Sequence, residues 1–134
     1  RRLIMSGGLG TMGYGLPGAI GAQIGNPGVP VISISGDGGM QMNIQELATI
    51  KEYDLNILIF IINNSQYGII RQHEVNKYDM EPYQIDLKNP DFVKVAEAYG
   101  LKAKRAEKLE DLQDVDDYDI VDVAVRFEDI PLPK

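Results

Sequence analysis

Hydrophobic positions along the chain fall into two kinds of run. "VPVISIS" (Val29 to Ser35) and "NILIFII" (Asn56 to Ile62) are near-continuous β-branched and apolar stretches. That pattern predicts strands of a parallel sheet covered on both faces. Between them, "MNIQELATIKEY" places Ile44, Leu47, Ala48 and Ile50 at helical spacing and ends at Tyr53-Asp54. Strand, helix and strand then make one βαβ crossover. Ahead of the first strand, "GYGLPGAIGAQIGN" reads as a helix stopped at Asn26-Pro27. Its glycines weaken the propensity but let it lie close to a sheet or a ligand.

The second half is less regular. "RQHEVNKYDMEPYQID" has no clean period and contains Pro82, so a loop or broken helix is expected. Asn89-Pro90-Asp91 carries a cap, a proline in the first turn and an early acid, and it opens a helix over "FVKVAEAYG" that stops at Gly100. "LKAKRA" and "YDIVDVAVRF" read as two further strands. The acidic "EKLEDLQDVDD" between them has room for about two helical turns. The expected architecture is α/β: a doubly wound, mostly parallel sheet of four or more strands with helices on both faces.

Composition narrows the picture. A chain of 134 residues that is 44% hydrophobic supports one domain, spanning 1–134. It has no cysteine, so a bound metal must use oxygen ligands or the single His73. A net charge of −7 with 13 dispersed basic residues argues against a nucleic-acid partner. "LNILIFII" is too short to cross a bilayer. "RRLIMSGG" resembles no leader, so no membrane partner and a cytoplasmic location are expected. The chain does not open on methionine, which suggests a piece of something longer.

In doubly wound sheets ligands collect beyond the carboxyl ends of the strands. Gly36-Asp37-Gly38-Gly39 follows the first strand and Asn63-Asn64-Ser65-Gln66 the second. Asp37 offers a hard carboxylate oxygen and Asn64 a neutral amide oxygen, which suits a divalent ion that also binds water and phosphate. The glycines allow close approach to an anion at a helix start near Met40. Alone, each piece is an ordinary turn or cap. The 26 positions from Asp37 to Asn63 match one helix plus one strand, which brings both to the same sheet edge.

"GDG", 24 residues and "NN" together resemble the signature of thiamine diphosphate-dependent enzymes. "SGGLGTMGYGLPGAIGAQ", "GDGGMQMNIQELATI" and "IINNSQYGIIRQ" are similar to the large catalytic subunit of acetolactate synthases, from about Ser6 to Gln72 and more loosely through "NPDFVKVAEAYGLKA". The resemblance implies thiamine diphosphate and Mg²⁺ as cofactors. Asp37, the Asn64 side chain and the Gln66 carbonyl would ligate Mg²⁺, and the N–H groups of Gly38, Gly39 and Gly68 would hold the diphosphate. Gly10 and Met12 would meet the aminopyrimidine, with Met12 wedging the cofactor into a bent shape, and Ile69 would lie on the thiazolium side. The cofactor's acidic carbon would then lie beside its own amino group, a large effective-molarity advantage for losing a proton.

The implied reaction decarboxylates pyruvate and joins the two-carbon unit to a second 2-keto acid, as in branched-chain amino acid biosynthesis. No catalytic residue is assigned in this chain, because the activating glutamate of the family sits on a separate pyrimidine-binding domain, usually of a neighbouring subunit. Glu46, inside "IQELATI", reads as a surface or packing residue. The implied parent is a homodimer or homotetramer, with FAD possible through a further domain. Two departures from the family pattern stand out: His73 takes the place of a Trp that helps select the acceptor, and the stretch between Lys108 and Ile120 is short. Met40 and Met42 read as gap fillers, His73 as a solvent-exposed loop residue, and Tyr67 as a lid or packing residue.

Three alternatives remain. Pyruvate oxidase, glyoxylate carboligase and 2-keto acid decarboxylases share the cofactor site. A non-catalytic α/β module would keep only the fold. "GLGTMG" (Gly8 to Gly13) also fits G-x-G-x-x-G, with Asp37 near the position of a ribose-binding acid, which would make an NAD domain. "RRLIMSG" is a weak first strand for that reading.

Overall fold

A computed structural model describes residues 3–126. Arg1 and Arg2 of the opening segment, and Phe127 of the last predicted strand, lie outside the described residues. Helix α1 (Gly15–Gly25) leads into strand β1 (Val31–Gly36). Helix α2 (Asp37–Met42), a 3-10 turn (Ile44–Glu46) and helix α3 (Leu47–Glu52) connect to strand β2 (Ile57–Asn63). Helix α4 (Gly68–Tyr78) and helix α5 (Phe92–Ala98) precede strand β3 (Ala103–Ala106). Two 3-10 turns (Leu109–Leu112 and Val115–Asp117) lead to strand β4 (Ile120–Ala124). The strands run parallel in the order β1-β2-β4-β3. The α/β class, the parallel sheet and the crossover after β1 are as the apolar pattern predicts.

Ser33, Ile59, Ile120 and Ala103 are aligned across the sheet. Their face carries the main core, where Ile57, Ile59, Ile61 and Ile120 meet Leu16 and Ile20 of α1, Leu47 and Ile50 of α3, and Phe92 and Ala96 of α5. Each of the four strand isoleucines, at most 3% exposed, contributes about 2 kcal/mol through burial.

The opposite face is covered unevenly. The connection from β3 back to β4 reverses direction in the sheet, so a right-handed crossover carries it over that second face. Lys104, aligned there with Val121, Phe60 and Ile34, donates to the Gln113 carbonyl at 2.8 Å, and Val121 is fully buried. At the other end of this face Ile32 and Ile34 of β1 are 62% and 69% exposed. The expectation that β1 is covered on both faces is therefore corrected. Its apolar run reports strand propensity without reporting what lies over it.

Three further expectations change in detail. The helix after β1 starts at Asp37, not near Met40, and breaks at Asn43. There a backbone at φ −137 lets the Asn43 amide donate to the Gly13 carbonyl at 2.9 Å. The segment read as a loop or broken helix is helical as far as Tyr78. Only Gln72 of α4 is buried, so no apolar stripe marks it, and it ends where Asp79 turns left-handed at φ 53. Helix α4 is an out-and-back excursion. Its ends are clipped by Tyr67 N–H to the Ile85 carbonyl (2.9 Å) and Leu87 N–H to the Ser65 carbonyl (2.8 Å). Among the described residues no helix is long and apolar enough to cross a membrane.

Candidate functional site

The parallel register sets Gly36, the last residue of β1, beside Ile62, the penultimate residue of β2. Asp37 and Asn63-Asn64 therefore leave the sheet at one edge, as the spacing predicts. Asp37 is 2% exposed and tightly held. Its Oδ2 accepts from Ser65 N–H (2.8 Å) and from the Asn89 amide (2.6 Å), and its Oδ1 accepts from Gly38 N–H (3.0 Å). Ser65 makes its contact with φ at 56, a left-handed backbone that is uncommon outside glycine. The surrounding hydrogen bonds hold it there: its carbonyl accepts from Leu87 and its hydroxyl lies 3.4 Å from Asn63 Oδ1.

Of the nine residues singled out for cofactor and metal, eight line one cleft of about 360 Å³: Met12, Asp37, Gly38, Gly39, Asn64, Gln66, Gly68 and Ile69. Gly10 does not line it. It sits at φ +63 with no atom within 4 Å of where a Cβ would be. Asn64 Oδ1 accepts from Gln66 N–H at 3.0 Å, and the Gln66 carbonyl accepts from Gly68 N–H at 3.0 Å. The Gln66 side chain reaches Asp86 Oδ1 at 2.9 Å, which adds to the clip beneath α4.

The donor set of one carboxylate, one amide oxygen and one carbonyl fits a hard divalent ion that leaves several positions to water and phosphate oxygens. Among the described residues there is no cluster of three or more His, Cys, Asp and Glu. The glycines differ in their reasons. A Cβ on Gly38 would stand 2.6 Å from Tyr67 Cε1, so the Tyr67 ring demands a glycine there. A Cβ on Gly39 would meet nothing nearer than Gly13 N at 3.7 Å. Packing does not require that glycine, and its bare backbone keeps the cleft floor open at the start of α2.

Behind the cleft a polar chain crosses the sheet edge. The Asn89 amide also donates to Asn63 Oδ1 (2.9 Å), and Asn63 donates to Asp122 Oδ1 (2.9 Å). Arg105 donates to Asp122 Oδ2 (2.7 Å) and to Glu107 (3.0 Å). The hydrogen bond to Glu107 first, and then the charge of Asp122, raise the Arg105 pKa. Asn63 thus faces inward at 8% exposure while its neighbour Asn64 faces the cleft.

Other expectations sort as follows. Met40 is core at 1% exposure, but Met42 is 47% exposed and fills no gap. His73 is half-buried on α4, not an exposed loop residue, and its Nδ1 is buried without a partner. Tyr67 both packs on Gly38 and lines the cleft. Residues 3–13 form no strand, which removes the first element of the NAD reading.

Sequence reasoning missed Asn89 and Gln41, whose Nε2 donates to Asn89 Oδ1 at 2.7 Å. The triplet Asn89-Pro90-Asp91 does open a helix, but Asp91 alone does the capping. Its Oδ1 accepts from Lys94 N–H at 3.1 Å, and its carboxyl pKa is lowered, chiefly by the Lys94 side chain.

Comparison with known proteins shows what the chain is similar to. Residues 1–117 match the model of "Thiamine pyrophosphate enzyme, C-terminal TPP binding domain". A probable acetolactate synthase large subunit from Methanocaldococcus jannaschii is 51% identical over 106 residues, covering 78% of this chain and 18% of that protein. The acetolactate synthase large subunit of Cyanidium caldarium is 50% identical over 104 residues, covering 76% of this chain and 18% of that protein. The mitochondrial acetolactate synthase of Schizosaccharomyces pombe is 47% identical over 105 residues, covering 78% and 16%. The matched segment is thus under a fifth of each of these relatives. Among solved structures, a thiamine diphosphate-dependent 4-hydroxybenzoylformate decarboxylase from Rhodococcus jostii RHA1 superposes with a TM-score of 0.79 at 31% identity. That superposition covers 87% of this chain and 24% of the other.

Proposed function

The chain belongs to the thiamine pyrophosphate enzymes, as their C-terminal cofactor-binding domain, and we propose that it supplies the Mg²⁺ and diphosphate half of the active site of an acetolactate synthase-like enzyme. The observation that carries this reading is the convergence of Asp37, Asn64, Gln66 and the glycines on one cleft at the sheet edge. Relatives near 50% identity that are named acetolactate synthases support this choice of reaction class. When bound, thiamine diphosphate supplies a nucleophilic thiazolium carbon and an electron sink for decarboxylating a 2-keto acid.

Everything this chain contributes is placement. Asp37, the Asn64 amide and the Gln66 carbonyl hold the ion. The N–H groups of Gly38, Gly39 and Gly68 would hold the diphosphate; in this structure those of Gly38 and Gly68 donate to Asp37 Oδ1 and the Gln66 carbonyl. Met12, which lines the cleft, and Gly10, which does not, would meet the aminopyrimidine, and Ile69, 48% exposed at the start of α4, would lie on the thiazolium side. The activating glutamate and any FAD site belong to further domains of a longer, dimeric or tetrameric enzyme, of which residues 1–134 are one domain, while His73 stands at the position tied to the second 2-keto acid.

The test is product analysis. The full-length protein should form acetolactate from pyruvate only with both thiamine diphosphate and Mg²⁺, and the 134-residue chain alone should form none. Release of acetaldehyde without acetolactate would replace the synthase reading with a decarboxylase one. Acetolactate formed by the isolated chain would contradict the division of the site between domains.

A further inference from the structure

Asn89 touches the cleft only through Asp37, and it is bound on every side. Both hydrogens of its amide nitrogen are used, one on Asp37 Oδ2 at 2.6 Å and one on Asn63 Oδ1 at 2.9 Å. Its carbonyl oxygen accepts from Gln41 Nε2 at 2.7 Å. These partners fix which end of the amide faces Asp37, because a flipped amide would set oxygen against carboxylate oxygen and nitrogen against nitrogen. Asn89 arrives at this position on the returning arm of the α4 excursion, which the Leu87 to Ser65 hydrogen bond brings back to the sheet edge.

We propose that Asn89 is a positioning residue for the metal ligand Asp37, held in orientation by Gln41, and that it sets the affinity of the site for its divalent ion. The proposal rests on the reading of Asp37 as a ligand. Oδ2 is occupied on the protein side by two donors, Ser65 N–H and Asn89. The carboxylate is thereby locked against rotation, and Oδ1, which accepts from Gly38 N–H alone, is the oxygen with a lone pair left for a cation. A ligand locked in this way loses little conformational freedom on binding, and outer partners of metal ligands typically account for about 10- to 100-fold in affinity. Asn63 and Asp122 extend the same chain to Arg105, so the anchor is tied to the middle of the sheet and not to a surface loop alone.

The experiment uses Mn²⁺ as the probe ion, titrated into the full-length protein with thiamine diphosphate and followed by electron paramagnetic resonance. Asn89→Leu removes the donor at nearly constant volume. It should weaken Mn²⁺ binding by about 10-fold or more and broaden the bound-ion spectrum. Gln41→Met frees the Asn89 amide without touching Asp37 and should give a smaller loss in the same direction. Thermal unfolding of the metal-free proteins separates this from a merely structural role, which would lower the midpoint and leave the ion affinity of the folded fraction unchanged. Should Asn89→Leu not fold, Gln41→Met, altered at a half-buried position, decides alone. Affinities and spectra that match the wild type in both variants overturn the positioning role and leave the site reading intact. A wild-type protein that binds no Mn²⁺ overturns the site reading, and the proposal with it.

Discussion

The sheet-edge corner around Asp37 and the segment from Leu3 to Gly13, which reaches the same cleft through Met12, are built in opposite ways. At the corner, Asp37, Asn63 and Asp122 are 2%, 8% and 3% exposed, and hydrogen bonds from the backbone, two amides and a guanidinium meet them. Along the segment, Leu3, Met5 and Leu9 are 74%, 68% and 99% exposed, and Gly10 has no neighbour against which a Cβ would press. The difference follows from desolvation. A buried polar group left without a partner costs about 1–3 kcal/mol, so a buried polar corner is stable only if it is complete. An exposed segment carries no such requirement. The half of the site assigned to metal and diphosphate is thus organised by this chain's own bonds. The half assigned to the aminopyrimidine is held, among the described residues, by little more than Asn43 on the Gly13 carbonyl and Ser6 on Thr11 N–H.

One substitution made in both regions can break that contrast. Gly38→Ala drives a Cβ to 2.6 Å from the Tyr67 ring and 3.2 Å from Leu87 Cδ1. An expected loss of about 1–3 kcal/mol in urea unfolding follows from overpacking, with partial recovery when Tyr67→Ala is added. An unchanged midpoint would mean that the Tyr67 ring yields and the corner is not rigid. Gly8→Ala, with nothing within 4 Å and no positive φ, should shift stability by less than about 0.5 kcal/mol. A large loss there would show the segment to be packed as tightly as the corner.

The same contrast explains what could be read from sequence. Strands β1 and β2 were legible because β-branched apolar runs favour extended backbone, and the Asp37–Asn64 pairing followed from one crossover's length. Helix α4 was not, since a helix that buries Gln72 alone leaves no apolar period. The bare face at Ile32 and Ile34 was not, because a strand's composition is silent on its cover. Asn89 escaped because its partner Asp37 is 52 positions away. The local triplet also had a complete explanation as a cap, which Asp91 satisfies by itself.

On this account the corner binds the diphosphate end of the cofactor through a metal held by Asp37. The decisive experiment is calorimetric titration of thiamine diphosphate into the full-length protein, with and without Mg²⁺, for the wild type and Asp37→Ala. Binding should require Mg²⁺ and should weaken by about 100-fold or more in Asp37→Ala. Binding of thiamine diphosphate that ignores both the metal and Asp37, or binding of NAD without metal, would contradict it.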